Sequence, residues 1–260
     1  MTYDATTTRI FGMPPYSFFS VVGVTFASSL FILLLLKYDF NIRRYTKIFF
    51  LSGIGMLIGA KLFGCLTGLY VALANNEPVT FKTIFNTGIV FYGGLLGFLL
   101  SFLFICKKWN KWIEYRVVDL AVVCIPLFHF WGRLGCFFAG CCYGKETHSP
   151  FSVLYTNKIK EEIVTASRIP VQLVEAGGNI VIFVALVGML NKKILRGHLF
   201  RVYLIIYAVI RIGLEFFRGD FVRGVYHGIS FSQVVSVIIF MICFISFFTR
   251  KEKVYDLEIV

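Results

Sequence analysis

The stretch 129–146 reads His-Phe-Trp-Gly-Arg-Leu-Gly-Cys-Phe-Phe-Ala-Gly-Cys-Cys-Tyr-Gly-Lys-Glu. Its arginine, Arg133, follows a long apolar run and so lies at or inside the edge of a membrane. A guanidinium there costs several kcal/mol unless it meets an anion, a carbonyl or water. Arginine is also the side chain best shaped to fork a phosphate. Gly132, Gly135, Gly140 and Gly144 let backbone or ligand approach closely. Together these residues point to a membrane-embedded site for a phosphorylated headgroup.

Cys136, Cys141 and Cys142 add a second chemistry. They read as small structural residues, as a disulfide between Cys136 and Cys141, or as a nucleophile and acyl carrier whose thiol is acidified by nearby arginine. With His129 or His148 they would supply four zinc ligands. Yet Cys-x4-Cys-Cys is not a usual zinc spacing, and neither metal nor cofactor is expected. The other four of the seven cysteines, Cys65, Cys106, Cys124 and Cys243, sit in apolar runs and read as small hydrophobes.

The elements that position these residues follow from composition. The 260 residues are 58% hydrophobic and 15% charged, with a mean hydropathy of +0.78. This is the composition of a polytopic membrane protein. Seven apolar segments are expected, at 16–36, 48–73, 88–106, 117–131, 177–190, 199–217 and 229–248. The fold class is therefore an all-α integral membrane protein of seven transmembrane helices in one domain. A small polar lobe at 145–170, with a short strand at 151–156, is expected outside the cytoplasm.

The net charge of +12 lies in short loops between apolar runs, which argues for orientation and anionic lipid and against nucleic acid. Lys37, Arg43, Arg44 and Lys47 follow the first segment. Lys107, Lys108, Lys111 and Arg116 follow the third, Lys192, Lys193 and Arg196 the fifth, and Arg250, Lys251 and Lys253 the seventh. By the positive-inside rule these loops are cytoplasmic, the N-terminus is outside and the C-terminus inside. No removable signal peptide is expected. Tyr92, Arg133 and Arg218 then converge near the outer leaflet.

Several short elements recur in a recognisable order: Pro14-Pro15-Tyr16-Ser17, Tyr92-Gly93-Gly94-Leu95, Gly132-Arg133-Leu134-Gly135, and Pro170-Val171-Gln172-Leu173-Val174-Glu175. They continue with Arg211, Glu215-Phe216-Phe217-Arg218 and Ile229-Ser230-Phe231-Ser232-Gln233. This set resembles the prolipoprotein diacylglyceryl transferase family from about Tyr16 to Gln233. The resemblance implies an enzyme of the bacterial inner membrane with its site facing the outer leaflet. Such an enzyme moves the diacylglyceryl group of phosphatidylglycerol onto the lipobox cysteine thiol of a preprolipoprotein. It implies that Arg133 and Arg218 hold the phosphate.

Two elements depart from the family pattern. The usual His-Gly-Gly is Tyr92-Gly93-Gly94, so the histidine proposed as base is missing. The usual Gly-Arg-x-Gly-Asn-Phe-x-Asn-Gly-Glu carries Cys136, Ala139 and Cys141 in place of its two asparagines and glutamate. This Cys-Cys-Tyr-Gly form is a divergent branch.

Arg133, Arg218, Tyr92 and His129 are accordingly the candidate catalytic residues. Tyr16, Gly93, Gly94, Gly132, Gly135, Cys136, Cys141, Gln172, Glu175, Arg211 and Gln233 are the candidate substrate contacts. Glu175 reads as a residue that orients an arginine, or as a base. Asp220 reads as a partner for Arg218, and His227 as a histidine in the last outer loop. The rival readings are a paralogue using phosphatidylglycerol with another acceptor, a membrane thiol–disulfide protein using the three cysteines, and a lipid-binding or transport protein without turnover.

Overall fold

The structure is a computed structural model. It describes residues 2–4, 9–74, 78–81, 84, 90–110, 115–159, 162–219, 225–226 and 229–249. Lys111, Lys160, Glu161, Asp220, His227, Arg250, Lys251 and Lys253 lie outside the described residues.

Among the described residues there are seven helices: α1 (Pro15–Lys37), α2 (Ile42–Ala74), α3 (Phe91–Asn110), α4 (Tyr115–Phe138), α5 (Val171–Asn191), α6 (Leu199–Glu215) and α7 (Phe231–Thr249). The first five are long and apolar enough to cross a membrane. At 17 residues, α6 spans about 26 Å, a little under the ~30 Å of a hydrocarbon core. The helical class expected from composition stands.

Beside the helices lies a small three-stranded sheet, β1 (Thr2–Asp4), β2 (Val153–Ile159) and β3 (Glu162–Arg168), in that order. β2 and β3 form an antiparallel hairpin from Val153↔Arg168 to Ile159↔Glu162. The N-terminal strand pairs with β2 in parallel, a contact that local sequence gives no hint of. A second hairpin joins β4 (Val225–Tyr226) to β5 (Ile229–Ser230).

The second helix begins at Ile42 and not at 48, and two further boundaries differ from expectation for one physical reason. The fourth segment does not stop at 131, and the fifth does not begin at 177. α4 runs on through Gly132, Arg133 and Cys136, and α5 starts early enough to include Gln172 and Glu175. Polar residues that end an apolar run in hydropathy terms stay helical here because they are paired with one another. α4 is the central helix: 61% of its apolar window is buried, against 22–39% in the other four.

Helix association in lipid rests on close packing rather than on hydrophobic transfer, so small residues mark the contacts. Gly55 and Gly59 of α2 face Gly93 and Gly97 of α3. A Cβ on Gly93 would lie 2.2 Å from the Gly59 carbonyl oxygen, and one on Gly97 2.2 Å from that of Gly55. This is a small-xxx-small seam on both helices. It places Tyr92, one residue away, over the interior with 3% exposure.

Asp119, buried near the start of α4, accepts hydrogen bonds from the backbone N–H of Gly197 and of Leu199. It thereby satisfies the otherwise uncapped beginning of α6.

Candidate functional site

Three helices each carry a row of polar side chains at helical spacing. These are His129 and Arg133 on α4; Gln172, Glu175 and Asn179 on α5; and Tyr207, Arg211 and Glu215 on α6. All of them are withdrawn from solvent. Residues three or four apart share a helix face, and the three rows meet.

Glu175, 1% exposed, is the hub. Its Oε1 accepts from Arg133 Nη2 at 2.8 Å and from the Tyr207 hydroxyl at 3.1 Å, and its Oε2 lies 3.4 Å from Arg211 Nη1. Arg211 Nη2 also reaches Glu215 Oε2 at 3.0 Å and donates to Ser232 Oγ at 3.3 Å. Ser232 donates on to Glu215 Oε2 at 2.9 Å. One ion network thus ties α4, α5, α6 and α7 together.

His129 completes the network on α4. Arg133 Nε donates to His129 Nε2 at 3.2 Å, which requires Nε2 to be unprotonated and the ring proton to sit on Nδ1. His129 Nε2 also lies 3.5 Å from Glu175 Oε1, but with its lone pair engaged by Arg133 this is a contact and not a hydrogen bond. The ring stacks on Phe91 at 3.6 Å between centroids.

The network borders a cavity of 780 Å³, within the range of ligand sites. One part is a shaft of apolar and small residues from α1 to α3, among them Val24, Phe49, Met56, Leu57 and Phe98. The polar end is formed by Tyr16, His129, Arg133, Arg211, Glu215, Arg218 and Ser232. At this end Arg133 and Arg211 pair with the carboxylates Glu175 and Glu215, and Arg218 lines the same wall. This guanidinium-rich end lies beside an apolar shaft. An amphiphile with an anionic head is the complementary ligand.

The three cysteines close the same end. α4 terminates in a Schellman turn. Cys141 N–H donates to the Cys136 carbonyl and Gly140 N–H to that of Phe137, both at 3.1 Å. Gly140 adopts the left-handed conformation, φ +65°, that this motif needs. Such a turn brings its third-last helical side chain against the second residue beyond the cap, here Cys136 against Cys141. Cys142, itself left-handed at φ +62°, folds the third thiol back. The three sulfurs lie within 4.8 Å of one another, and all three residues line the cavity. Cys142 lies just beyond α4. Hydrogen bonds from the Cys136 and Cys141 thiols, helped by the charges of Arg133 and Arg218, hold its thiol well below the ordinary thiol range against the opposing effect of burial.

Of the residues expected to form the site, Tyr16, Tyr92, Gly94, His129, Gly132, Arg133, Cys136, Cys141, Arg211 and Arg218 line the cavity. The other five have packing or capping partners. Gly93 belongs to the α2–α3 seam, and Gly135 lets α4 approach Tyr16 and Phe19 of α1. Gln172, 0% exposed, receives the Tyr155 hydroxyl at 3.3 Å and donates to the Cys141 carbonyl at 2.7 Å, tying sheet to cysteine turn. Glu175 acts through the arginines.

Gln233 forms a capping box with Ser230. Its Oε1 accepts from Ser230 N–H at 2.9 Å while its own N–H donates to Ser230 Oγ at 3.2 Å. The hydroxyl of Tyr92 meets Ser236 Oγ at 2.6 Å. Tyr207, Glu215 and Ser232 were not among the expected site residues. The four-residue spacing Tyr207–Arg211–Glu215 on an apolar helix was the signal that marks two of them.

Comparison with other proteins agrees with this geometry. A sequence profile described as prolipoprotein diacylglyceryl transferase matches residues 7–249. A phosphatidylglycerol–prolipoprotein diacylglyceryl transferase of Clostridium tetani is 33% identical over 236 residues, which covers 88% of this chain and 90% of the relative. An enzyme named phosphatidylglycerol–prolipoprotein diacylglyceryl transferase 2, from Clostridium perfringens, is 28% identical over 89% of each chain. One from Campylobacter lari is 27% identical over 97% of this chain and 96% of its own. With a profile that spans nearly its whole length and a relative this similar over nine-tenths of it, the chain belongs to the prolipoprotein diacylglyceryl transferase family.

Proposed function

We propose that this protein transfers the diacylglyceryl group of phosphatidylglycerol to the lipobox cysteine thiol of a preprolipoprotein. The observation that carries the reading is the cavity itself: an apolar shaft ending in three arginines, two of them held by carboxylates. Family membership favours this reading over a thiol–disulfide protein or a carrier without turnover.

In this reading the two acyl chains occupy the shaft between α1, α2 and α3, and the phosphate sits between Arg133 and Arg218. The carbon–oxygen bond at the glyceryl carbon breaks and glycerol phosphate leaves. Its developing charge is met by cations already fixed in place, in a site shielded from water. Arg133 is aimed by Glu175 and His129, and Arg211 by Glu175 and Glu215. These carboxylates are positioning residues. The lone pair of His129 Nε2 is engaged by Arg133 and the Tyr92 hydroxyl by Ser236, so neither is poised as a base.

Seven crossings, an N-terminus outside and a C-terminus in the cytoplasm belong to the same proposal. The helix count and the basic residues at the ends of α1, α3 and α5 support them. The cavity's polar end and the sheet then face outward, at the outer leaflet of a bacterial inner membrane.

Thioether formation tests the reading. Membranes containing the chain are supplied with labelled phosphatidylglycerol and a lipobox peptide, with Arg133→Ala as control. Transfer by the parent protein and its loss in the variant is the expected result. Absence of transfer with Arg133-dependent lipid binding would place the acceptor outside the lipoproteins.

A further inference from the structure

We infer that Cys136, Cys141 and Cys142 form a zinc site whose fourth position takes the acceptor thiol. This rests on the transferase reading above and supplies what that reading lacks, a group that ionises the acceptor.

The geometry starts from the Schellman turn. Sequence spacing alone speaks against zinc, because structural zinc sites draw ligand pairs from two or more separate segments. Here the helix terminator and a left-handed residue gather all three thiols locally, with sulfurs within 4.8 Å of one another. Tetrahedral thiolates at the usual zinc–sulfur length of about 2.3 Å are separated by roughly 3.8 Å, so small side-chain rotations suffice. Among the described residues no histidine or carboxylate joins the group. Three protein ligands with an open fourth position is the arrangement of catalytic zinc. All three residues line the cavity, from which an acceptor would reach the fourth position.

Zinc with three thiolates carries one net negative charge, and Arg133 and Arg218 line the same cavity as the three cysteines. Soft thiolate ligands select zinc or a similarly soft ion over magnesium or calcium. A thiol arriving at the fourth position loses its proton to water on coordination. Its sulfur lone pair then attacks the glyceryl carbon. The sulfur–carbon bond forms, the carbon–oxygen bond breaks, and its electron pair departs on the oxygen of glycerol phosphate. Neither oxidant nor reductant is needed. The product is a neutral thioether, a far weaker ligand than the thiolate, so it leaves the metal.

The test uses the full chain purified in detergent without chelator. About one zinc per chain by elemental analysis is expected, and replacement by cobalt should give a thiolate-to-metal absorption band. Both should vanish in the variant with Cys136→Ser, Cys141→Ser and Cys142→Ser. Cys141→Ser alone, at the most exposed of the three, should weaken zinc binding and shift the cobalt spectrum if the triple variant does not fold.

Stripping zinc from the unmodified protein should slow transfer up to roughly thirtyfold at pH 7. This is the ratio of full ionisation to the few per cent of thiolate in a free thiol of pKa about 8.5. Zinc alone should restore the rate, and phosphatidylglycerol binding should survive the stripping. Absence of stoichiometric zinc, or a disulfide among the three cysteines as purified, would overturn the site. Bound zinc whose removal leaves transfer unchanged would overturn its role with the acceptor. If the zinc-loaded protein makes no thioether at all, the transferase reading fails and the acceptor role falls with it, while the metal content stands on its own measurement.

Discussion

Replacing Glu175 by glutamine is the sharpest probe of the ion network, because it removes a charge and hardly any volume. In the parent protein Glu175 lies 2.8 Å from one Arg133 nitrogen and 3.4 Å from one of Arg211. At an effective dielectric of about 20, each contact carries roughly 5–6 kcal/mol of attraction. Most of that offsets the desolvation of three buried charges. What remains visible on breaking such a pair is the uncompensated partner, about 3–5 kcal/mol. Among the described residues, Glu175→Gln leaves Arg133 without a paired carboxylate and Arg211 with Glu215 alone, and it turns an amide N–H₂ toward donors that need an acceptor. We expect thermal unfolding in detergent to fall by about 6–20 °C, from 2–4 °C per kcal/mol for a chain of this size. Glu175→Asp should lose less. The cycle pairing Glu175→Gln with Arg133→Gln should show coupling above about 1.5 kcal/mol. A Glu175→Gln protein that melts within about 2 °C of the parent would refute the reasoning, because the arginines would then be compensated elsewhere.

The other expectations concern residues whose apparent and actual roles differ. Gly93→Ala should destabilise by about 1–3 kcal/mol, since the added carbon collides with the Gly59 carbonyl. Gly132→Ala, with open space at its Cβ, should leave stability equal or higher by up to about 1 kcal/mol; the two melting curves read the contrast directly. Tyr92→Phe breaks the hydroxyl pair with Ser236 and should cost about 1 kcal/mol of stability while transfer persists; loss of transfer in a well-folded variant would make Tyr92 a participant. Gln233→Ala removes half of a capping box and should cost about 1 kcal/mol without altering the apparent affinity for phosphatidylglycerol.

Hydropathy locates the helices well because lipid demands continuous hydrogen-bonded apolar segments. It errs where polar side chains are buried by pairing. Arg133 and Glu175 each look like the end of a segment, yet each lies inside a helix because the other neutralises it. The arginines were legible individually, since an intramembrane guanidinium needs a reason. Which carboxylate serves which arginine was not, because partners on α4, α5 and α6 are brought together only by tertiary packing. Gly93 and Gln233 illustrate the converse. Each stands within a functional motif, but the seam with Gly59 and the cap on Ser230 explain them in purely structural terms. The thiol cluster escaped a spacing argument because it depends on two left-handed residues, Gly140 and Cys142.

The helix-terminating turn that gathers the cysteines also bears on how such a site arises in evolution. Its mutual geometry is written in seven consecutive residues, 136–142, and in backbone hydrogen bonds that do not involve the thiols' own chemistry. Substitutions at positions 136, 141 and 142 can therefore install or erase the cluster on an unchanged membrane frame. The arginine network, by contrast, spans four helices and must be inherited whole. One end of a single cavity thus combines a component that is costly to invent with one that a lineage can gain or lose in a few steps.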